Sequence, residues 1–118
     1  MQKSIIIIFI CSFFITAFIG VSDCHEGFAS YYGDNFTGRR TACGQKYHKD
    51  SLTCAHRTYP FGTLLKVYCH KTKKTIIVRV NDRGPYSHKR IIDLSGSAAD
   101  SIGIKRMGIA WVTVEKVE

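Results

Sequence analysis

Past residue 26, apolar and polar positions alternate over short runs, and glycine separates the runs. Period-2 alternation bounded by turn residues predicts β-strands. The pattern gives strands over 27–33, 51–55, 63–69, 75–80, 90–94 and 108–115. Thr75-Ile76-Ile77-Val78-Arg79-Val80 carries the strongest signal, and Arg83-Gly84-Pro85 breaks the chain after it. Residues 34–49 are polar and glycine-containing, which predicts a long loop, and His70 to Lys74 reads as a basic hairpin tip. A single helical stretch is expected, Gly96 to Ile102, with Ser95 as its N-cap and Gly103 as its stop. Many short strands and one small helix predict a mainly β fold, a compact barrel.

The N-terminus follows a different pattern. Residues Ile5 to Ile19 are apolar apart from Ser12 and Thr16, behind a tip charged at Lys3, and Gly20 and Ser22 offer a small-x-small exit. That is the form of a secretory signal peptide over 1–22, cleaved after Ser22. The run is short for a membrane span, which needs about 20 apolar residues, so no membrane anchor is expected to remain. Lipoprotein anchoring at Cys24 is disfavoured, because Asp23 stands where a small neutral residue is wanted. One domain over 23–118 follows, expected to be secreted, extracellular or periplasmic.

Charge and cysteines narrow the reading. The chain has 118 residues, with 17 Lys and Arg against 9 Asp and Glu, a net charge of +8. Such excess favours anionic partners, and for an exported chain a wall polymer fits better than nucleic acid. Beyond the signal stand Cys24, Cys43, Cys54 and Cys69. An even count in a short exported chain suggests two disulfides, with three connectivities open. No C-x-x-C pair exists, so a zinc site is not expected. Asn35-Phe36-Thr37 is a glycosylation sequon, relevant only in a eukaryotic host.

Three segments together resemble a known family. They are Ala29-Ser30-Tyr31-Tyr32-Gly33; Thr41-Ala42-Cys43-Gly44-Gln45-Lys46-Tyr47 with Leu52-Thr53-Cys54-Ala55-His56-Arg57-Thr58-Tyr59-Pro60-Phe61-Gly62-Thr63; and Val78-Arg79-Val80-Asn81-Asp82-Arg83-Gly84-Pro85-Tyr86 with Arg90-Ile91-Ile92-Asp93-Leu94-Ser95. Their order and spacing are similar to the double-psi β-barrel of the rare lipoprotein A family, lytic transglycosylases related to expansin and barwin-type barrels. The resemblance implies a six-stranded barrel with one or two short helices. It also implies cleavage of peptidoglycan glycan strands by closure of a 1,6-anhydro ring, in which one carboxyl group serves first as acid and then as base. No metal or coenzyme is needed, and the expected partner is the glycan strand, met by a monomer.

The resemblance makes Asp82 the first candidate for that carboxyl, with Asp93 and His56 as further catalytic candidates. Against this stand the ordinary uses of such residues: an Asp capping a turn, an Asp beside a helix N-terminus, a buried structural imidazole. Ser30, Tyr32, Gln45, His48, Asn81, Arg83 and Tyr86 are the substrate-binding candidates. The chain departs from the family at Gln45, where a glutamate is usual, and at His48, where an acidic residue is usual. Glutamine cannot exchange a proton, so the alternative is a non-catalytic, expansin-like or barwin-like wall-binding protein.

Overall fold

The structure is a computed structural model and describes residues 23–117. The expected signal peptide, its cleavage site and Glu118 lie outside the described residues.

Six strands close into a barrel: β1 (Cys24–Tyr31), β2 (Thr53–Ala55), β3 (Leu64–Cys69), β4 (Thr75–Asp82), β5 (Arg90–Leu94) and β6 (Ala110–Lys116), in the order β1-β5-β2-β4-β3-β6. β1 with β5 and β2 with β4 run parallel; the other neighbours are antiparallel. Alternation sets the inside. Leu65, Val67 and Cys69 of β3 are buried between exposed Leu64 and Lys66, and Ala110, Val112 and Val114 do the same on β6. Val78, Val80, Ile92 and Leu94 complete the interior. The one α-helix among the described residues, α1 (Gly96–Ser101), starts where Ser95 Oγ accepts the Ala98 amide at 3.3 Å, and packs Ala98 and Ala99 into the core. Gly103, at φ 75°, supplies the left-handed residue that follows it.

Strand boundaries shift by one to three residues from the sequence pattern, and two of the shifts matter for the site. β1 starts at Cys24, because Cys24-His25-Glu26 pairs with Glu115-Val114-Thr113 although those three side chains stay exposed. β4 continues through Asn81 and Asp82, so Asp82 is the last residue of a strand rather than the first of a turn. The expected disulfides are corrected: Cys24, Cys43, Cys54 and Cys69 are free thiols. Cys54 lies opposite Val80 of β4, whereas the Cys69 amide bonds the carbonyl of Lys74. Six residues of strand separate those levels, roughly 20 Å, and a bridge needs Cα atoms within about 7 Å. Cys24 and Cys69 sit on opposite sides of β6, at Glu115 and Val112.

Candidate active site

β4 delivers Asp82 to the barrel rim. There its carboxylate gathers three donors from three segments. Oδ1 accepts the backbone amides of Ala42 at 2.8 Å and Arg83 at 2.9 Å, and Oδ2 accepts the Tyr32 phenol at 2.6 Å. Ala42 arrives because the segment 34–49 folds back on itself: the Thr41 amide bonds the Gln45 carbonyl at 2.7 Å, Gly44 at φ 93° makes the turn, and Arg40 bridges Lys46. Tyr47, buried, anchors this flap by accepting the Gly96 amide at 2.9 Å. Asp82 then borders a cavity of about 210 Å³ whose walls include Tyr32, Phe36, Arg39, Arg40 and Tyr47. Burial pushes the Tyr32 phenol well above its ordinary pKa, and the Asp82 hydrogen bond, with the charges of Asp82 and Asp93, adds to it. Tyr32 therefore stays a donor across the working pH range.

Asp93 has different company. On β5 it lies beside Ser30 of β1, and its Oδ1 accepts from the Ser30 hydroxyl and from Arg90 Nη1, the latter at 2.9 Å. The same guanidinium nitrogen reaches Ser30 Oγ at 2.6 Å, closing a triangle around the carboxylate. Ser30, a substrate-binding candidate, is thus engaged by Asp93 and Arg90.

His56 is nearly buried, at 8% exposure. Its Nδ1 accepts the amides of Thr58 and Tyr59, both at 3.2 Å, which fixes the neutral tautomer with the proton on Nε2. Burial pushes its pKa down to about 4, with help from the positive charges of His25, Arg57 and Arg83. Its side chain lines a separate cavity with Cys24, His25 and Glu26, while its backbone amide bonds the Asp82 carbonyl at 3.2 Å. Arg83 turns away from the carboxylate before it: its guanidinium lies 4.1 Å from the Phe61 ring centre and donates to the His56 carbonyl at 3.2 Å. Tyr86 is 84% exposed and lines none of these cavities.

Gln45, His48 and Asn81 come together, in a third cavity of about 540 Å³. Arg40 belongs to both this cavity and that of Asp82. The sequence reading missed Lys46 and Thr53, which line the third cavity, and the Ala42 amide that holds Asp82. The turn chemistry at Gly44 was the available signal for that flap.

A closed six-stranded barrel with two parallel strand pairs is the architecture of the double-psi class, and solved structures agree. The Streptomyces papain inhibitor superposes with TM-score 0.66 at 25% identity, covering 82% of this chain and 96% of that one. An expansin from Clavibacter michiganensis superposes with TM-score 0.64 at 22% identity, over 80% of this chain and 50% of that one. The family profile described as lytic transglycolase matches residues 25–114, and the chain belongs to that family. The probable endolytic peptidoglycan transglycosylase RlpA of Synechocystis is 48% identical over 92 residues, 78% of this chain and 29% of that protein. The endolytic peptidoglycan transglycosylase RlpA of Campylobacter jejuni is 42% identical over 99 residues, 84% of this chain and 36% of that protein. The chain thus spans about a third of the length of the curated relatives it matches.

Proposed function

We propose that this domain cleaves peptidoglycan glycan strands as a lytic transglycosylase, with Asp82 as its single acid and base. The observation that carries the reading is the Asp82 carboxylate: it borders a cavity, and its three donors are a phenol and two amides, none of them charged. Protonated Asp82 gives its proton to the leaving glycosidic oxygen as the C1–O bond breaks. The resulting carboxylate then takes the proton of the sugar's own 6-hydroxyl as O6 bonds to C1, so no water is consumed and the group returns to its starting state. Ordinary glycoside hydrolysis divides this work between two carboxylates facing one bond. Here Asp93 is tied to Arg90, and Asp82 is the one carboxylate among the described residues lining its cavity. Relatives named as peptidoglycan transglycosylases support the same substrate. We further propose export by the segment 1–22, which would bring the domain to the wall.

Gln45 favours a second reading, wall-polymer binding without cleavage, because a residue that exchanges no proton stands where the family has an acid. Mass spectrometry of glycan strands incubated with the chain separates the two. Products with 1,6-anhydro ends support cleavage. Strands recovered intact, yet retained on the protein, support binding alone.

A further inference from the structure

The flap beside Asp82 is a short hairpin of irregular chain whose base closes at Tyr47. The Tyr47 amide donates to the Arg39 carbonyl at 2.7 Å, and the Tyr47 carbonyl accepts the Gly38 amide at 2.9 Å. The tip reaches β4, where the Ala42 amide donates to Asp82 Oδ1 at 2.8 Å and the Cys43 amide to the Asn81 carbonyl at 3.2 Å. Most of this segment is exposed, whereas Tyr47 is 3% exposed. A segment with few buried contacts opens easily, so its place depends on what its base is fixed to. The Tyr47 oxygen accepts the Gly96 amide at 2.9 Å, which fixes the base to the start of α1. The Tyr47 ring packs against that of Tyr32, with centroids 4.7 Å apart and planes inclined by 52°. Tyr32 in turn donates to Asp82 Oδ2. Each oxygen of the Asp82 carboxylate therefore has a donor that Tyr47 supports: the phenol it packs against and the amide on the flap it anchors.

Building on the glycan-cleaving reading, we propose that Tyr47 is a positioning residue that aims the Asp82 carboxylate, through the Tyr32 ring on one oxygen and the flap on the other. Its own oxygen is engaged by Gly96, so it takes no part in proton transfer. The start of α1 becomes part of the support of the site, although none of its residues lines the Asp82 cavity. Donors on the charged form of a carboxyl lower its affinity for a proton. Loosening them makes Asp82 keep its proton to higher pH and lets the carboxyl turn away from the glycosidic oxygen. The other charged or titratable groups around it are Tyr32 of β1, Arg39 and Arg40 of the flap, His56 after β2, Arg83 beside it and Asp93 of β5. The test therefore reads the carboxyl through its own hydrogen bonds as well as through turnover.

The Ala42 and Arg83 amides both donate to Asp82 Oδ1, so in nitrogen-15 spectra of the wild-type chain both should shift as Asp82 ionises. In Tyr47→Leu the Ala42 amide is expected to lose that response. Arg83, next to Asp82 in the chain, should keep it, with a midpoint raised by about one pH unit, the worth of one hydrogen bond to a charged group. Release of 1,6-anhydro products should fall about tenfold through kcat, with KM within about twofold. Tyr47→Phe keeps the ring against Tyr32 and should restore turnover to within about threefold of wild type, while the Ala42 amide exchanges with solvent about tenfold faster. Val67→Ala, in the core on β3, lowers stability without touching the flap and should leave both amide responses as in wild type. A folded Tyr47→Leu chain whose Ala42 amide still follows Asp82 at the wild-type midpoint overturns the proposal, and so does an equal midpoint shift in Val67→Ala. If Tyr47→Leu does not fold, Tyr47→Phe decides: faster Ala42 exchange supports the role, and wild-type exchange overturns it. The parent reading fails separately. A wild-type chain that makes no 1,6-anhydro ends, with the amide responses lost in Tyr47→Leu as expected, loses the reaction and keeps Tyr47 as the organiser of Asp82. Cleavage by the wild type with unchanged amide responses in Tyr47→Leu does the reverse.

Discussion

Asp82 and Asp93 sit one strand apart in barrel order, on β4 and β5 with β2 between them, and both are half-buried. Their surroundings differ in the sign of what holds them. Asp82 is held by a phenol and two backbone amides, while the cation next in sequence, Arg83, is drawn off to Phe61 and the His56 carbonyl. Asp93 is held by a guanidinium and a hydroxyl that are themselves bonded to each other. The ion pair and the hydroxyl engage the Asp93 carboxylate within the barrel wall. Neutral donors orient the Asp82 carboxylate toward its cavity without a cation beside it. The same residue type is thus split into a working group at a cavity and a clamp joining β1 to β5.

The largest effect expected from that division is at Asp82. Asp82→Asn keeps an acceptor for the Ala42 and Arg83 amides and removes the exchangeable proton. Release of 1,6-anhydro products should fall by about a thousandfold, within the usual range for general acid–base groups, with circular dichroism unchanged. Digestion that continues at an undiminished rate breaks the comparison at its root. Tyr32→Phe comes next. It deletes the donor on Oδ2 and leaves the ring, which packs 4.7 Å from that of Tyr47. Turnover should drop roughly tenfold through kcat, as expected for one lost hydrogen bond to a charged group. A change confined to KM would make Tyr32 a sugar platform instead of an orienting donor.

The alternation of β3 and β6 was legible in the sequence, and so was the Ser95 cap, because each follows from local pattern. What those residues touch was not. The Asp93–Arg90–Ser30 triangle depends on β1 lying parallel to β5, a pairing between residues about sixty positions apart in sequence. The capture of His56 Nδ1 by the next turn, and of Arg83 by Phe61, are choices among rotamers that sequence spacing leaves open. The even cysteine count pointed to bridges, but placing Cys54 and Cys69 inside the barrel serves packing as small apolar residues.

Asp93→Asn tests the other half of the comparison. It breaks the pair with Arg90 while keeping the shape, and the Arg90 side chain is 34% exposed, so water takes up part of the lost contact. Unfolding free energy should fall by about 1–2 kcal/mol, read by urea denaturation, and turnover should stay within about threefold of wild type. Loss of turnover comparable to that of Asp82→Asn, with stability intact, makes Asp93 a second reacting carboxylate and favours two-carboxylate chemistry.

The smallest effect sharpens the boundary of the site on its other side, at His56. Its folded pKa, pushed down to about 4, lies below the ordinary histidine value near 6.5. The unfolded chain therefore takes up the proton first as pH falls. The stabilising contribution is fully present above about pH 6.5 and is lost progressively as pH drops toward 4. Between pH 7 and pH 5.5 this amounts to about 1 kcal/mol, seen as a lower urea midpoint. His56→Asn offers Oδ1 in place of Nδ1 to the Thr58 and Tyr59 amides and has no proton to bind, so its midpoint should lie lower at pH 7 but change less over the same interval. If the variant's pH dependence matches that of the wild type, the imidazole is not the titrating group. The neutral, turn-capping histidine is then the wrong description.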